Sequence, residues 1–170
     1  MSLFDALYTD LPGYPCSWSP CKRYRYTLWR IWSADPKKVC MVIGLNPSTA
    51  DEFENDPTVR RCIGFAQREG CDALLMTNIF AFRATDPGDM KAVDEPVGAE
   101  NNEWLVRCSS LASIVIAAWG VHGDYRGRAQ EVAALIPDLF CLGTTSAGHP
   151  RHPLYVRGDA PLITWPPVGQ

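Results

Sequence analysis

The chain has 170 residues, is 46% hydrophobic and 11% aromatic, and carries a formal net charge of −3. That length suits a single domain, residues 1–170, with a substantial buried core. The acidic balance argues against a broad nonspecific nucleic-acid footprint, and no apolar run approaches the roughly 20 residues of a membrane-spanning helix.

Residues 1–21 are proline-rich and read as irregular, without the charged and then apolar pattern of a secretory signal in Met1 to Pro12. A cytoplasmic chain that avoids membranes is expected. Arg23 to Trp32 alternates enough for a strand, and Ser33-Ala34-Asp35-Pro36 is a turn signal. This strand is expected to form an antiparallel pair that feeds the next one. Residues 22–38 also concentrate Lys22, Arg23, Arg25, Arg30, Lys37 and Lys38 against Asp35 alone, interleaved with Tyr24, Tyr26, Trp29 and Trp32. Such a stripe either tracks a phosphate backbone or is the solvated face of a strand whose aromatic residues are core.

Val39 to Ile43 is an apolar run without polar alternation, which predicts a strand buried on both faces. Gly44-Leu45-Asn46-Pro47-Ser48 follows it. Glycine admits close backbone approach, and the proline stiffens the turn and keeps Asn46 extended. Thr49 with Glu52 fits a capping box, predicting a helical turn there. Asp56-Pro57 opens a helix whose apolar positions Val59, Cys62, Ile63 and Ala66 recur at helical spacing, closed by Gly70.

Ala73 to Phe80 predicts a second buried strand, and residues 86–96 a loop. Glu100 to Leu111 is helical, with Trp104, Leu105, Cys108 and Leu111 on one side. Ile114 to Trp119 is the third strand, ending at Gly120. His122, Tyr125 and Arg126 lie in a loop before a helix running to about Ile136. Leu139 to Leu142 is the fourth strand, and the polar stretch Gly143 to Leu154 follows. Apolar strands alternating with helices specify an α/β fold: three layers, α/β/α, around a four-stranded, mostly parallel central sheet with an antiparallel N-terminal strand.

Each parallel strand thus ends in polar residues: Asn46; Asn78 with Arg83; Gly120 with His122; His149 with His152. Parallel strands share one carboxyl edge, where ligands bind in open α/β sheets. There is no Gly-x-x-x-x-Gly-Lys loop, no Gly-x-Gly-x-x-Gly and no Gly-x-Ser-x-Gly elbow, so ATP, NAD and serine chemistry are unsupported. Seven cysteines, several at apolar positions, read as reduced core residues. Two weaker readings are a metal held by His149 and His152 and an iron–sulfur set from Cys16, Cys21, Cys62 and Cys71. No cofactor is expected.

Gly44-Leu45-Asn46-Pro47-Ser48 resembles the first motif of the uracil-DNA glycosylase superfamily, closest to the mismatch-specific uracil/thymine enzymes. Thr77 to Thr85 is similar to their Asn-x-x-x-Arg-x-Thr segment, Ala118-Trp119-Gly120 to the ending of their third strand, and His149-Pro150 or His152-Pro153 to their late motif. With Arg23-Tyr24 to Trp32, Asn46 to Asp51, Asp56-Pro57-Thr58, Phe82 to Thr85, Ala118-Trp119-Gly120 and Arg151 to Tyr155, the whole chain also looks like domain-of-unknown-function family 1643 of bacteria and phages.

The glycosylase resemblance implies a base-excising N-glycosidase acting on a uracil-like or modified base, with nucleic acid or a nucleotide as partner. Asn46 would hold the attacking water, Asn78 the amide edge of the base, and a late-motif histidine the developing charge on its carbonyl oxygen. His152 fits that motif's continuation best, with His149 the alternative. Phe53 or Phe80 would stack on the base. Gly44, Leu45, Pro47, Ser48, Arg83, Trp119 and Arg151 complete the implied substrate-binding set. Asn46 and Ser48 depart from the pattern, since asparagine is no general base and serine replaces a glycine. A non-hydrolytic binding protein for a nucleobase, nucleotide or modified DNA is the alternative.

Overall fold

The computed structural model describes Tyr8 and residues 10–167; the irregular reading of residues 1–7 and 9 lies outside the described residues. Seven strands form one mixed sheet: β1 (Cys16–Trp18), β2 (Arg25–Ile31), β3 (Val39–Gly44), β4 (Ala73–Asn78), β5 (Ile114–Ala117), β6 (Leu139–Cys141) and β7 (Ile163–Trp165). Their spatial order is β1-β2-β4-β3-β5-β6-β7. The four expected strands are the central ones, paired in parallel as β4-β3-β5-β6, while β1, β2 and β7 extend them antiparallel. The sheet therefore has seven strands where four and one N-terminal strand were expected.

β2 also pairs differently from the expectation. Its partners are β4, with Leu28 opposite Met76, and β1; it does not lie beside β3. Only β4 offered an open edge, because β3 is flanked by parallel neighbours on both sides.

Four α-helices join the sheet: α1 (Pro57–Arg68), α2 (Pro87–Ala92), α3 (Asn101–Leu111) and α4 (Arg128–Leu135). The predicted Asp56 cap is present, its carboxylate accepting the Val59 amide at 2.8 Å. No helix begins at Thr49. Asp51 instead accepts the Phe53 and Glu54 amides, and Asp56 takes the Ala50 amide, which holds residues 50–55 as a loop. α2 occupies part of the stretch read as loop, started by Asp86 and Pro87 in the same cap-then-proline arrangement.

β3 and β4 are buried at every position, as strands covered on both faces must be. One core cluster joins Trp29, Met41, Ile43, Leu75, Phe80, Leu105 and Trp119; a second joins Leu28, Val42, Leu74, Met76, Val59, Cys62 and Phe65 of α1. The side chains of β3 alternate between these two clusters. All seven cysteines are free and five are buried. Burial pushes the thiols of Cys62 and Cys108 up to about 12, so neither is a thiolate nucleophile near neutral pH. No helix of the described residues is long and apolar enough to cross a membrane.

Candidate functional site

A cavity of about 850 Å³ opens at the carboxyl edge of the parallel strands. Its walls come from the ends of β3 (Gly44, Leu45, Asn46, Ser48), β4 (Met76, Asn78) and β5 (Trp119, Gly120), from the start of α1 (Asp56 to Val59) and from Arg151, His152, Leu154 and Tyr155. β3 lies between β4 and β5, so the chain leaves it in opposite directions on its two sides. That topology opens a crevice at the strand ends.

The loops are tied together by main-chain bonds that continue past the strands. Ile79 and Phe80 donate to the Gly44 and Leu45 carbonyls, and Ala84 donates to Pro47. On the other side Gly120 donates to Pro150. Arg83 sits outside the cavity lining, gripping the loop by donating to the Ser48 and Thr49 carbonyls while it covers the Trp18 ring.

Asn46 spends both amide protons on the Pro47 and Ala84 carbonyls, at 3.1 and 2.7 Å. Its Oδ1 is left as an acceptor at the cavity wall. Asn78, only 4% exposed, has a buried Nδ2 with no partner among the described residues. Its Oδ1 lies 2.8 Å from where a Cβ on Gly44 would stand, which is the physical reason a glycine ends β3.

The main chain under Asn78 is held from behind. Buried Asn101 donates to the Asn78 and Ile79 carbonyls, and buried Arg128 donates to Ile79 and to the Asn102 side chain.

His152 lines the cavity. Its Nδ1 accepts the Leu154 amide at 3.3 Å, which places the proton of the neutral ring on Nε2. Burial lowers its pKa, opposed by the nearby Asp56 carboxylate, so the ring is neutral at pH 7. His149 is outside the lining and lies 3.4 Å from Asp124. Among the described residues no three His, Cys, Asp or Glu side chains group as a metal ion would require.

Neither Phe53 nor Phe80 is among the residues that line the cavity. Phe53 is 87% exposed, and Phe80 is fully buried in the core, packed against Tyr125. The expected strand Ala73 to Phe80 ends at Asn78, and Phe80 lies two residues beyond it with its amide on the Leu45 carbonyl. Pro47 is likewise outside the lining. Trp119 lines the cavity with its ring edge-on to Trp165, the centroids 5.1 Å apart.

Asp56 and Arg25, read from the sequence as a helix cap and as part of the basic stripe, also line the cavity. Asp56 is the one acidic residue of the lining, and both its oxygens cap main-chain amides. Arg25 is 2% exposed and reaches the cavity from β2. The basic stripe therefore does not form a continuous phosphate track: Arg25 is buried, Arg30 binds the Asn55 side chain and loop carbonyls, Lys37 pairs with Asp35 and Lys38 binds Glu69.

A sequence profile for a protein family of unknown function, DUF1643, matches residues 25–154. The chain belongs to the DUF1643 family. No curated protein and no solved structure matches it. The matched DUF1643 region runs from Arg25 to Leu154 and so includes the cavity residues just described, Tyr155 excepted.

Proposed function

We propose that the cavity binds a nucleobase, free or within a nucleotide or nucleic acid, and that the protein is a base-excising N-glycosidase of the uracil-DNA glycosylase type. The observation that carries this reading is Asn78: a buried carboxamide with an unspent Nδ2 beside a glycine that makes room for it. Nucleobase edges present both donors and acceptors, which a carboxamide matches. The parallel order β4-β3-β5-β6 and the motif resemblance support the fold-type assignment.

In the proposed reaction the glycosidic bond breaks with its electron pair leaving on the base, water adds to the sugar carbon, and the proton the water loses ends on the departed base anion. The Oδ1 of Asn46 accepts a hydrogen bond from that water and orients it. The Nε2–H of neutral His152 donates to the carbonyl oxygen on which charge accumulates, a donor placement that can supply about 3–4 kcal/mol. A base within a duplex must first be flipped out, at a cost of a few kcal/mol.

The second reading is binding without hydrolysis. It is favoured by Asp56, whose two oxygens are spent on the Val59 and Ala50 amides, leaving no free carboxylate in the described cavity lining to activate water. The test is incubation with oligonucleotides carrying uracil, mismatched thymine or modified pyrimidines, scoring abasic sites and binding together. Excision lost in Asn46→Ala and His152→Ala supports the glycosidase. Tight binding without abasic sites supports the second reading. Absence of both refutes a nucleic-acid substrate.

A further inference from the structure

Several side chains of the cavity lining are hydrogen-bond donors, and one of them, Arg25, is a buried charge. Among the described residues the Arg25 side chain makes one hydrogen bond, from Nη1 to the Ala50 carbonyl, and no ion pair. An arginine has five N–H donors in a planar fork. Burial penalises the charged form and pulls its pKa down to about 10, although a guanidinium remains charged near neutral pH.

Asp56 is the sole acid in the described lining; it does not pair with Arg25, and its oxygens are already engaged. A second guanidinium, Arg151, also lines the cavity, with its Nε on the Thr144 carbonyl. Asn78 adds an unpartnered Nδ2 and His152 adds Nε2–H. Arg25 and Asn78 enter from neighbouring strands: the Arg25 amide donates to Ala81, three residues beyond Asn78. The opposing acceptors are the Asn46 Oδ1 and capped Asp56 alone among these side chains.

We propose that the cavity takes a ligand bearing an oxyanion, a carboxylate or a phosphate, and that Arg25 receives it. This rests on the nucleobase reading above and adds to it that the base or nucleotide is anionic inside the pocket. The planar guanidinium fork matches two oxygens of one anionic group, which a lysine's point charge does not. The volume of the cavity, about 850 Å³, falls in the range that takes a whole small ligand, so the anion can belong to the ring or to an attached phosphate.

The test is calorimetric titration of the full chain with two matched pairs: uracil against 6-carboxyuracil, and uridine against uridine 5′-monophosphate. Inorganic phosphate is titrated separately. Wild type, Arg25→Lys and Arg25→Gln are compared, with thermal unfolding to establish that each is folded.

The expected result is an affinity at least about 10-fold higher for the charged member of one pair, lost in Arg25→Gln and partly kept in Arg25→Lys. The pair that shows it identifies the source of the oxyanion. Equal affinity for charged and neutral members in wild type overturns the oxyanion site and leaves the nucleobase reading standing. A preference undiminished in Arg25→Gln overturns the role of Arg25. Arg25-dependent binding of inorganic phosphate, with no pyrimidine bound, supports the oxyanion site and overturns the nucleobase reading. Should Arg25→Gln not fold, the wild-type pairs and Arg25→Lys decide.

Discussion

Replacing Gly44 by alanine introduces one methyl group at the point where β3 meets the cavity. The new carbon would stand 2.8 Å from Asn78 Oδ1, against the 3.4 Å or more of an ordinary contact, so the carboxamide must retreat by roughly 0.6 Å. Its main chain cannot follow, because Asn101 holds the Asn78 and Ile79 carbonyls in place. The displacement therefore falls on the side chain that recognises the ligand. Losing one well-aligned hydrogen bond in a buried site costs about 1–3 kcal/mol, or about 5- to 150-fold in affinity.

Fold stability should change little. An alanine in a strand gains about 0.5–1 kcal/mol over glycine, which offsets part of the local crowding. Titration with pyrimidine ligands, alongside thermal unfolding, reads both effects. Because the methyl acts only through Asn78, Asn78→Ala should lower affinity similarly, and the Gly44→Ala/Asn78→Ala pair should lose no more than either alone. Additive losses across that cycle, or a Gly44→Ala protein that binds normally, would refute the coupling.

Asp56→Ala removes the cap of α1 and should cost about 1–2 kcal/mol, lowering Tm by roughly 2–8 °C in a thermal melt. An unchanged melt would remove Asp56 from its capping role. His152 has a native pKa below its unfolded value, so the unfolded chain binds more protons in the window between the two. Its contribution to stability is accordingly complete above about pH 6.5 and is lost as pH falls through the native pKa. His152→Asn, which keeps an acceptor for the Leu154 amide, should flatten part of that acid limb in chemical denaturation, with His122, also lowered by burial, accounting for another part. Phe53→Ala should leave stability within about 0.5 kcal/mol and pyrimidine affinity unchanged; a large loss of affinity would bring that exposed ring into the site.

The central strands were readable because double-sided burial leaves an unbroken apolar run, and α1 because Asp56-Pro57 is a strong local start signal. Thr49 and Glu52 looked equally good as a capping box, but Asp51 and Asp56 captured the neighbouring amides first. That competition is decided by which side chain reaches, and spacing alone does not encode it. Arg25 was harder still. A charged residue in an alternating strand reads as solvent-facing; its burial follows from β2 lying between β4, more than forty residues later, and β1, where an irregular register sets Trp18 opposite Arg25. Asn101 carries no local signal either, since its partners are main-chain carbonyls at the end of β4, and Arg128 shows locally only its Glu131 partner, not the Ile79 carbonyl it holds. The choice of His152 over His149 for the cavity wall depended on the loop geometry after β6, where the two histidines face different surroundings.

The strands that close the sheet lie outside the stretch by which the family is recognised. β1 at Cys16–Trp18 precedes it and β7 at Ile163–Trp165 follows it, and Trp165 both packs on Trp119 and donates to the Gly148 carbonyl. A fragment trimmed to residues 25–154 would thus leave β2 and β6 with unpaired main-chain groups along their outer sides, a template for sticking to other copies. The recognisable family segment and the complete sheet are different lengths of chain, and insolubility of the shorter piece would report its bare borders rather than any defect in the pocket.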